Sequence, residues 1–369
     1  MTSNPKTING DPAALTIDRA VGELRRGRAV QIFDGGQRAV FGAVESLRPA
    51  LLRSLQSADG DLTLLITRER AKASGLATDP AEAIAINFAA DTTLEQLRIL
   101  AGVSHGSPID ASGIQVSDWP GSSLVATAAL KLAKAGRLLP ALIGFTTTAP
   151  SDESVLQVSA ADIERHTFFQ YGLKRTSQSR VPLADAVESE ITLFRDEHGL
   201  GEHVAVVIGK LDTSKVVPVR LHSACLTGDL LGSLRCDCGE QLRTAVRRIA
   251  ALGGGVLLYL DQEGRGIGLA NKLRAYAIQD MGLDTVDADR HLGFHDDERN
   301  YDVAAALLQE LGVSRVRLLT NNPKKIHALV EHGIDVVGRL PLVAAVNCHN
   351  ARYIKTKRDR AGHLAEEQG

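Results

Sequence analysis

The sequence predicts an α/β (α+β) protein of two domains. Three observations carry this. A chain of 369 residues exceeds what one ordinary core organises. Strand-like and helix-like runs alternate along its C-terminal half. A polar, proline-containing stretch over 145–154 reads as a linker. In chain order, Ile17, Ala20, Val21 and Leu24 recur at i, i+3, i+4, i+7, and Gly27 is placed to end that helix. The apolar run Ala29–Phe33 reads as a strand, and Asp34-Gly35-Gly36 turns it into Arg38–Val44 as a hairpin requires. Ser122-Ser123 open an Ala/Leu/Lys-rich helix that reaches Ala135 and stops at Gly136. Beyond the linker, a second boundary candidate is Lys174-Arg175-Thr176-Ser177. Strands are expected over Val204–Ile208, Val216–Leu221, Gly255–Leu260 and Val316–Leu319. Helices are expected over Glu240–Leu252, Ile267–Met281, Val303–Leu311 and Pro323–Glu331. The last has Asn322 as N-cap, Pro323 at its first position and Gly333 after its end. The domains are read as 1–170 and 171–369.

Composition removes several function classes. Lys+Arg total 42 and Asp+Glu 44, a net charge of −2, which argues against a chain that coats nucleic acid. That balance still leaves room for a small anion held by a few arginines. No apolar run approaches the ~18 residues needed to span a bilayer. The opening MTSNPKTINGDP has no apolar signal core, so the expected address is the cytoplasm. Four cysteines cannot form a disulfide scaffold, and three of them fall within fourteen positions. In a reducing compartment that crowding reads as metal chemistry.

Four segments carry chemical potential. Cys225, Cys236 and Cys238 form a C-x10-C-x-C arrangement. Three thiolates leave one tetrahedral position open, as catalytic zinc sites do, whereas a structural ribbon would show two C-x2-C pairs. The plain alternative is buried cysteines that only pack. Asp261-Gln262-Glu263-Gly264-Arg265-Gly266 lies between a strand and a helix, where backbone N–H groups and Arg265 suit an anion; alone it fits a tight turn equally well. In His295-Asp296-Asp297-Glu298-Arg299, positions 297 and 299 share a side if the segment is extended, although such an acidic run more often faces solvent. Thr320-Asn321-Asn322-Pro323-Lys324-Lys325 sets a hydroxyl, amides and lysines at a strand's carboxyl end. That is a common phosphate site and also an ordinary helix cap. The basic run Lys355–Arg360 reads as a solvated face.

Together these segments resemble the GTP cyclohydrolase II family of riboflavin biosynthesis. The resemblance spans about 190 residues, from near Lys174 to His363. It rests on ordered blocks: RLHSACLTGDLLGSLRCDCGEQL, LDQEGRGIGLANKLRAYAIQDMGLDTVDAD, LGFHDDERNY, LLTNNPKK and NARYIKTKRDRAGH. It implies a C-terminal domain with a mixed sheet and flanking helices. It also implies an enzyme that opens the imidazole ring of GTP, releasing formate and pyrophosphate and leaving 2,5-diamino-6-ribosylamino-4(3H)-pyrimidinone 5′-phosphate. By matching motif, Cys225, Cys236 and Cys238 would hold Zn²⁺. Arg220, Gln241, Glu263, Gly264, Arg265, Thr285, Thr320 and Lys325 would contact the nucleotide. Asp297 matches the proton acceptor, Arg299 the nucleophile toward the α-phosphorus, and Tyr276 a tyrosine needed for ring opening. Mg²⁺ would accompany the pyrophosphate, and the family's habit is a homodimer.

Physical chemistry adds two conditions. Three thiolates and Zn²⁺ sum to −1, so this metal is a weaker Lewis acid than one in a three-histidine site. An arginine nucleophile is disfavoured by a pKa above ~12, which sets an electrostatic clamp beside the covalent role for Arg299. One departure stands out: Ala224 occupies the place where the family reads glutamate, in His222-Ser223-Ala224-Cys225. The first ~170 residues resemble a 3,4-dihydroxy-2-butanone-4-phosphate synthase that has lost its acidic segment, since Asp34-Gly35-Gly36-Gln37-Arg38-Ala39 carries no glutamate. Residues 86–105 likewise lack that family's Thr-Gly-x-Ser segment. An inactive, degenerate domain is expected there. Two further readings stay open: a paralogue acting on another nucleotide or heterocycle, as in pyrimidine catabolism, and a zinc-stabilised GTP-binding module without turnover.

Overall fold

The computed structural model describes residues 11–58, 60–76, 81–89, 91–104, 114–150, 153–166, 172–196, 201–343, 345–360, 362 and 364. It resolves into two compact units. The first comprises Met1–Phe168, Leu273–Leu283 and Asp287–Asp296; the second comprises Phe169–Lys272, Asp284–Val286 and Asp297–Gly369. The boundary expected at 170 lies outside the described residues, as do residues 1–10, His363, position 105 and linker positions 151 and 152.

In the first unit, α1 (Pro12–Arg25) buries Ile17, Ala20, Val21 and Leu24, the four positions its spacing predicts, and Asp11 caps it by accepting from the Ala13 amide. The hairpin forms as expected: β1 (Val30–Asp34) and β2 (Gln37–Ala43) pair antiparallel, with Gly35 at φ 56° in the turn. The chain continues through α2 (Pro49–Gln56), β3 (Thr63–Thr67), α3 (Arg68–Ala73), β4 (Ala83–Asn87), α4 (Leu94–Ala101) and β5 (Gln115–Asp118). It then forms α5 (Ser123–Ala135), β6 (Ala141–Thr147), β7 (Leu156–Ser159) and α6 (Ala160–Arg165). The seven strands order as β5-β4-β3-β6-β2-β1-β7. On one face Ile32, Phe41 and Leu142 pack against α1, α5 and α6; on the other Leu64, Ile66 and Ile143 pack against α2 and α4. The expected linker is corrected at its start. Phe145–Thr147 complete β6, where Thr146 and Thr147 pair with Ala39 and Arg38. β-branched threonines suit a pleated sheet, so their polarity does not signal a loop.

The second unit begins with β8 (Leu173–Arg180), which takes up Lys174–Ser177 and so replaces the boundary expected there. It pairs with β9 (Ser189–Asp196), and β10 (Glu202–Gly209) and β11 (Val217–Ser223) follow. Next come α7 (Leu226–Asp229), α8 (Cys238–Ala251), β12 (Gly254–Leu260), a 3₁₀ turn (Glu263–Gly266), α9 (Leu269–Asp280) and α10 (Thr285–His291). The chain ends with α11 (Asp302–Glu310), β13 (Arg315–Leu319), α12 (Pro323–Glu331), β14 (Asp335–Leu340) and α13 (Ala351–Asp359). The sheet order is β14-β13-β11-β12-β10-β9-β8. Strands β14, β13, β11 and β12 run parallel, while β10, β9 and β8 are antiparallel, so the sheet is mixed. Val219, Leu221, Val256 and Leu258 pack against α11 and α12 on one face. Ile208, Leu257 and Leu319 pack against Ala245 and Ile249 of α8 on the other. In such a sheet ligands gather beyond the carboxyl ends of the parallel strands. There the chain places Cys225 after β11, Asp261–Arg265 after β12 and Thr320–Lys325 after β13. Among the described residues no helix is long and apolar enough to cross a membrane.

Candidate active site

The sulfur cluster is built by two helix starts. After β11, the Ala224 amide donates to Leu260 O at 2.8 Å, so the chain leaves the sheet one residue later, at Cys225. Cys225 precedes the single turn of α7, and Cys236 and Cys238 stand at the start of α8. The three sulfurs lie within 4.8 Å of one another, and Cys225 Sγ is 3.7 Å from Cys236 Sγ. Tetrahedral zinc with bonds of ~2.3 Å sets its sulfurs about 3.8 Å apart, so the donor set fits that metal. All four cysteines are free, and Cys348 is exposed. The backbone makes this approach possible: a Cβ at Gly228 would stand 2.7 Å from Cys236 Sγ and 3.1 Å from Cys225 Sγ. Crowding also sorts the protons. Thiol hydrogen bonds from Cys236 and Cys238, ahead of Lys272, favour the Cys225 thiolate, and those same bonds, then burial, push the other two thiols up.

Buried partners fix each end of the cluster. Asp229 accepts from the Cys225 amide and the Tyr259 hydroxyl, each at 3.0 Å, and pairs with His222 Nε2 at 3.0 Å. Burial, above all, lowers the pKa of His222. Lys272 Nζ donates to Cys225 Sγ at 3.0 Å, Thr227 Oγ1 at 3.0 Å and Glu263 Oε1 at 2.7 Å. Glu263 Oε2 in turn accepts from the Leu226 amide at 2.6 Å. Asp237, between two of the cysteines, accepts from Lys357 Nζ and Gln241 Nε2, each at 2.6 Å. Gln241 Oε1 then accepts from Arg220 Nη2 at 2.7 Å, while Arg220 Nη1 donates to Leu319 O at 2.9 Å. The basic run at the tail is thereby corrected. Lys357 turns inward from α13 because Asp237 is buried and needs a counter-charge, whereas Lys355 and Arg358 stay exposed.

Arg220 also stands within electrostatic reach of a second cluster around Arg299 and Tyr301. Arg299 clamps Asp297 through both carboxylate oxygens, Nε to Oδ1 and Nη2 to Oδ2 at 2.8 Å each, so the two share a side as expected. Burial alone would raise the Asp297 carboxyl, but Arg299 outweighs it and holds it below the ordinary range. Burial would lower the Arg299 guanidinium, yet Tyr301 and Asp297 raise it. Lys325 Nζ donates to Leu221 O at 2.7 Å, and burial first, then Arg220 and Arg299, push its pKa well down. Burial brings Arg220 down to about 10. Cations that depress one another mark a site where an anion would be stabilised. The Arg220 Nε and Tyr301 hydroxyl are buried without a hydrogen-bond partner.

The remaining expected residues are placed as follows. Gly264 and Arg265 both sit at φ 63°, a left-handed turn that glycine adopts freely and arginine does not. Thr320 is buried, and its hydroxyl accepts from the Asn322 amide at 3.0 Å. Thr285 opens α10 within the second unit. Tyr276 lies on α9, in the segment Leu273–Leu283 that groups with the first unit. Sequence reasoning missed Asp229, Asp237, Lys272, Tyr301 and Lys357. No spacing rule links Lys272 to a sulfur 47 positions away.

Comparison with known proteins decides the assignment. The model of the family described as GTP cyclohydrolase II matches residues 174–341. A GTP cyclohydrolase-2 of Azospirillum brasilense is 42% identical over 369 residues, covering 96% of this chain and 95% of that protein. The chain belongs to the GTP cyclohydrolase II family. A GTP cyclohydrolase-2 of Xylella fastidiosa (strain 9a5c) is 38% identical, over 96% of this chain and 88% of its own. That of Shewanella amazonensis is 54% identical over 175 residues, 47% of this chain but 85% of its own. GTP cyclohydrolase II proteins therefore include one that under half of this chain largely accounts for. A solved two-domain 3,4-dihydroxy-2-butanone 4-phosphate synthase from A. baumannii overlays with a TM-score of 0.30 at 17% identity, covering 89% of this chain and 99% of that one. At that score no shared fold is defined.

Proposed function

We propose that this chain hydrolyses GTP to 2,5-diamino-6-ribosylamino-4(3H)-pyrimidinone 5′-phosphate, formate and pyrophosphate, the first step of riboflavin biosynthesis. The observation that carries it is the three-thiol cluster joined by a hydrogen-bonded chain to buried Arg220. Cys225, Cys236 and Cys238 would hold Zn²⁺, which when bound supplies Lewis acidity toward the purine C8. The chain's own groups do the rest. Asp297, held ionised, accepts a proton during attack on the ring. Tyr276 serves ring opening. Arg220, Arg265 and Lys325 stabilise charge on the phosphates, which travel as their Mg²⁺ complex. Gln241, Glu263, Gly264, Thr285 and Thr320 complete the nucleotide contacts.

Arg299 is read as an electrostatic clamp at the α-phosphorus. Its carboxylate partner keeps the guanidinium protonated, which disfavours nucleophilic attack. A homodimer in the cytoplasm is the proposed assembly. The domains are read as 1–170 and 171–369, the first being a synthase-like remnant without synthase activity. Its one carboxylate at the first turn, Asp34, is engaged by the Ser122 hydroxyl at 2.8 Å.

Incubating the purified protein with GTP, Zn²⁺ and Mg²⁺ tests the reading. Formate, pyrophosphate and a diaminopyrimidine chromophore are expected. GTP binding without turnover would favour a regulatory module. No recognition of GTP would favour a paralogue for another heterocycle, the reading that Ala224 in place of the family's glutamate supports.

A further inference from the structure

A zinc ion among three thiolates has a net charge of −1, which weakens its pull on electrons. An enzyme using such a centre as a Lewis acid gains from a cation that draws charge off the sulfurs. Lys272 is so placed. Its Nζ stands 3.0 Å from Cys225 Sγ, and the residue is only 8% exposed. An ammonium offers three donors, and here they meet a sulfur, the Thr227 hydroxyl at 3.0 Å and the Glu263 carboxylate at 2.7 Å. Glu263 is itself held by the Leu226 amide on α7, so its carboxylate anchors the ammonium against the sulfur. The Lys272–Glu263 pair is neutral as a whole, but the end that touches sulfur is the positive one.

We propose that Lys272 is a positioning residue of the metal centre, whose charged hydrogen bond to Cys225 Sγ withdraws electron density from that thiolate and restores Lewis acidity to the bound ion. The inference rests on the reading of Cys225, Cys236 and Cys238 as metal ligands. It assigns a role to Lys272 that packing alone would not require: a lysine that merely tied α9 to Glu263 would need no sulfur contact. Glu263 then acts on the metal through Lys272 as well as beside the nucleotide.

Cobalt substitution in the full chain separates the possibilities. Co²⁺ added to the metal-stripped protein gives thiolate-to-metal charge-transfer absorption in the near ultraviolet when sulfurs ligate it. In Lys272→Met that band is expected to move to longer wavelength, because an unprotected thiolate yields its electrons more readily. Metal content should stay at the wild-type level, while formate release falls by about 10–100-fold, the usual size of an outer-sphere effect. Lys272→Arg, which keeps a charged donor, should return the band toward its wild-type position. The double variant Lys272→Met/Glu263→Gln removes the unpaired buried carboxylate, so the band can be read even if the single variant folds poorly. A band left at the wild-type wavelength in the Met variants, or lost metal with an unshifted band in the remainder, would overturn the inference and leave the cysteine site standing. A wild-type protein with no charge-transfer band would overturn both.

Discussion

The two units carry sheets of equal size, seven strands each, yet they treat buried charge in opposite ways. Among the described residues of the first unit the buried polar side chains are Gln31, Thr63, Thr67, Arg70 and Asp289. Arg70 spends its donors on carbonyls, Leu100 O at 3.0 Å and His291 O at 2.9 Å, and burial brings its pKa down to about 10. That is an arginine used as a bracket. In the second unit Arg220, His222, Asp237, Glu263, Lys272 and Lys325 are all buried at one end of the sheet or in contact with the sulfurs. Desolvating a charge costs several kcal/mol unless it is paired, so such a concentration marks chemistry rather than stability. The first unit has a cavity of its own, about 560 Å³, lined by Arg38, Trp119, Ser122 and Thr146 among others, but among its described residues no comparable set of buried charges. Size and fold class do not distinguish the two units; the location of buried charge does.

Four substitutions break or sharpen this contrast. The largest effect belongs to Cys238→Ser, which should abolish formate release by removing a metal ligand; full zinc content with normal turnover, by metal analysis and formate assay, would refute the assignment. Next is Arg299→Met, which takes the bidentate guanidinium from Asp297 and leaves it the residue-299 amide, and should cost about 3–5 kcal/mol of stability at pH 7 in denaturant titrations. The sign with pH follows from the depressed carboxyl. The pair's contribution is complete above the unfolded carboxylate value of ~3.9 and is lost as pH falls through the lower folded value. Wild type and variant should therefore converge in acid, and a gap that persists there would mean the pair is not the cause. Tyr276→Phe should keep GTP affinity but slow pyrimidine formation by about 100-fold, as loss of a proton-transfer group does. An unchanged rate would remove Tyr276 from the proposed chemistry. The smallest change is expected from Arg38→Ala in the first unit's cavity: GTP turnover should stay within about twofold, as for substitutions remote from a site. A tenfold drop would show that the first unit takes part.

Much of this was legible in the sequence because it is local. The apolar period of α1, the glycine turn between β1 and β2 and the Asn322 cap of α12 each depend on neighbours a few positions apart. The same holds for the three clustered cysteines, which lie within fourteen positions and whose sulfurs could hold a metal ion. What escaped is what only folding brings together. Lys357 finds Asp237 across 120 positions, so a charge run that composition assigns to solvent contributes one inward-turned, half-buried member. Thr146 and Thr147 look like a linker until β6 pairs with β2. The partition of α9 and α10 is likewise invisible to periodicity, since an amphipathic helix does not announce which body it serves.

Gly228 gives the spacer between Cys225 and Cys236 a meaning beyond its length. Its missing side chain leaves room for two sulfurs, and its carbonyl faces Gly239 so closely that a Cβ there would stand 2.2 Å away. The spacer is thus a measured strut, seated at one point on the floor of the site. Further along, Leu230, Leu231 and Leu234 face water, 59–74% exposed. Those leucines meet no such constraint, whereas a residue inserted between Cys225 and Gly228 would displace the glycine from the gap beside the two sulfurs.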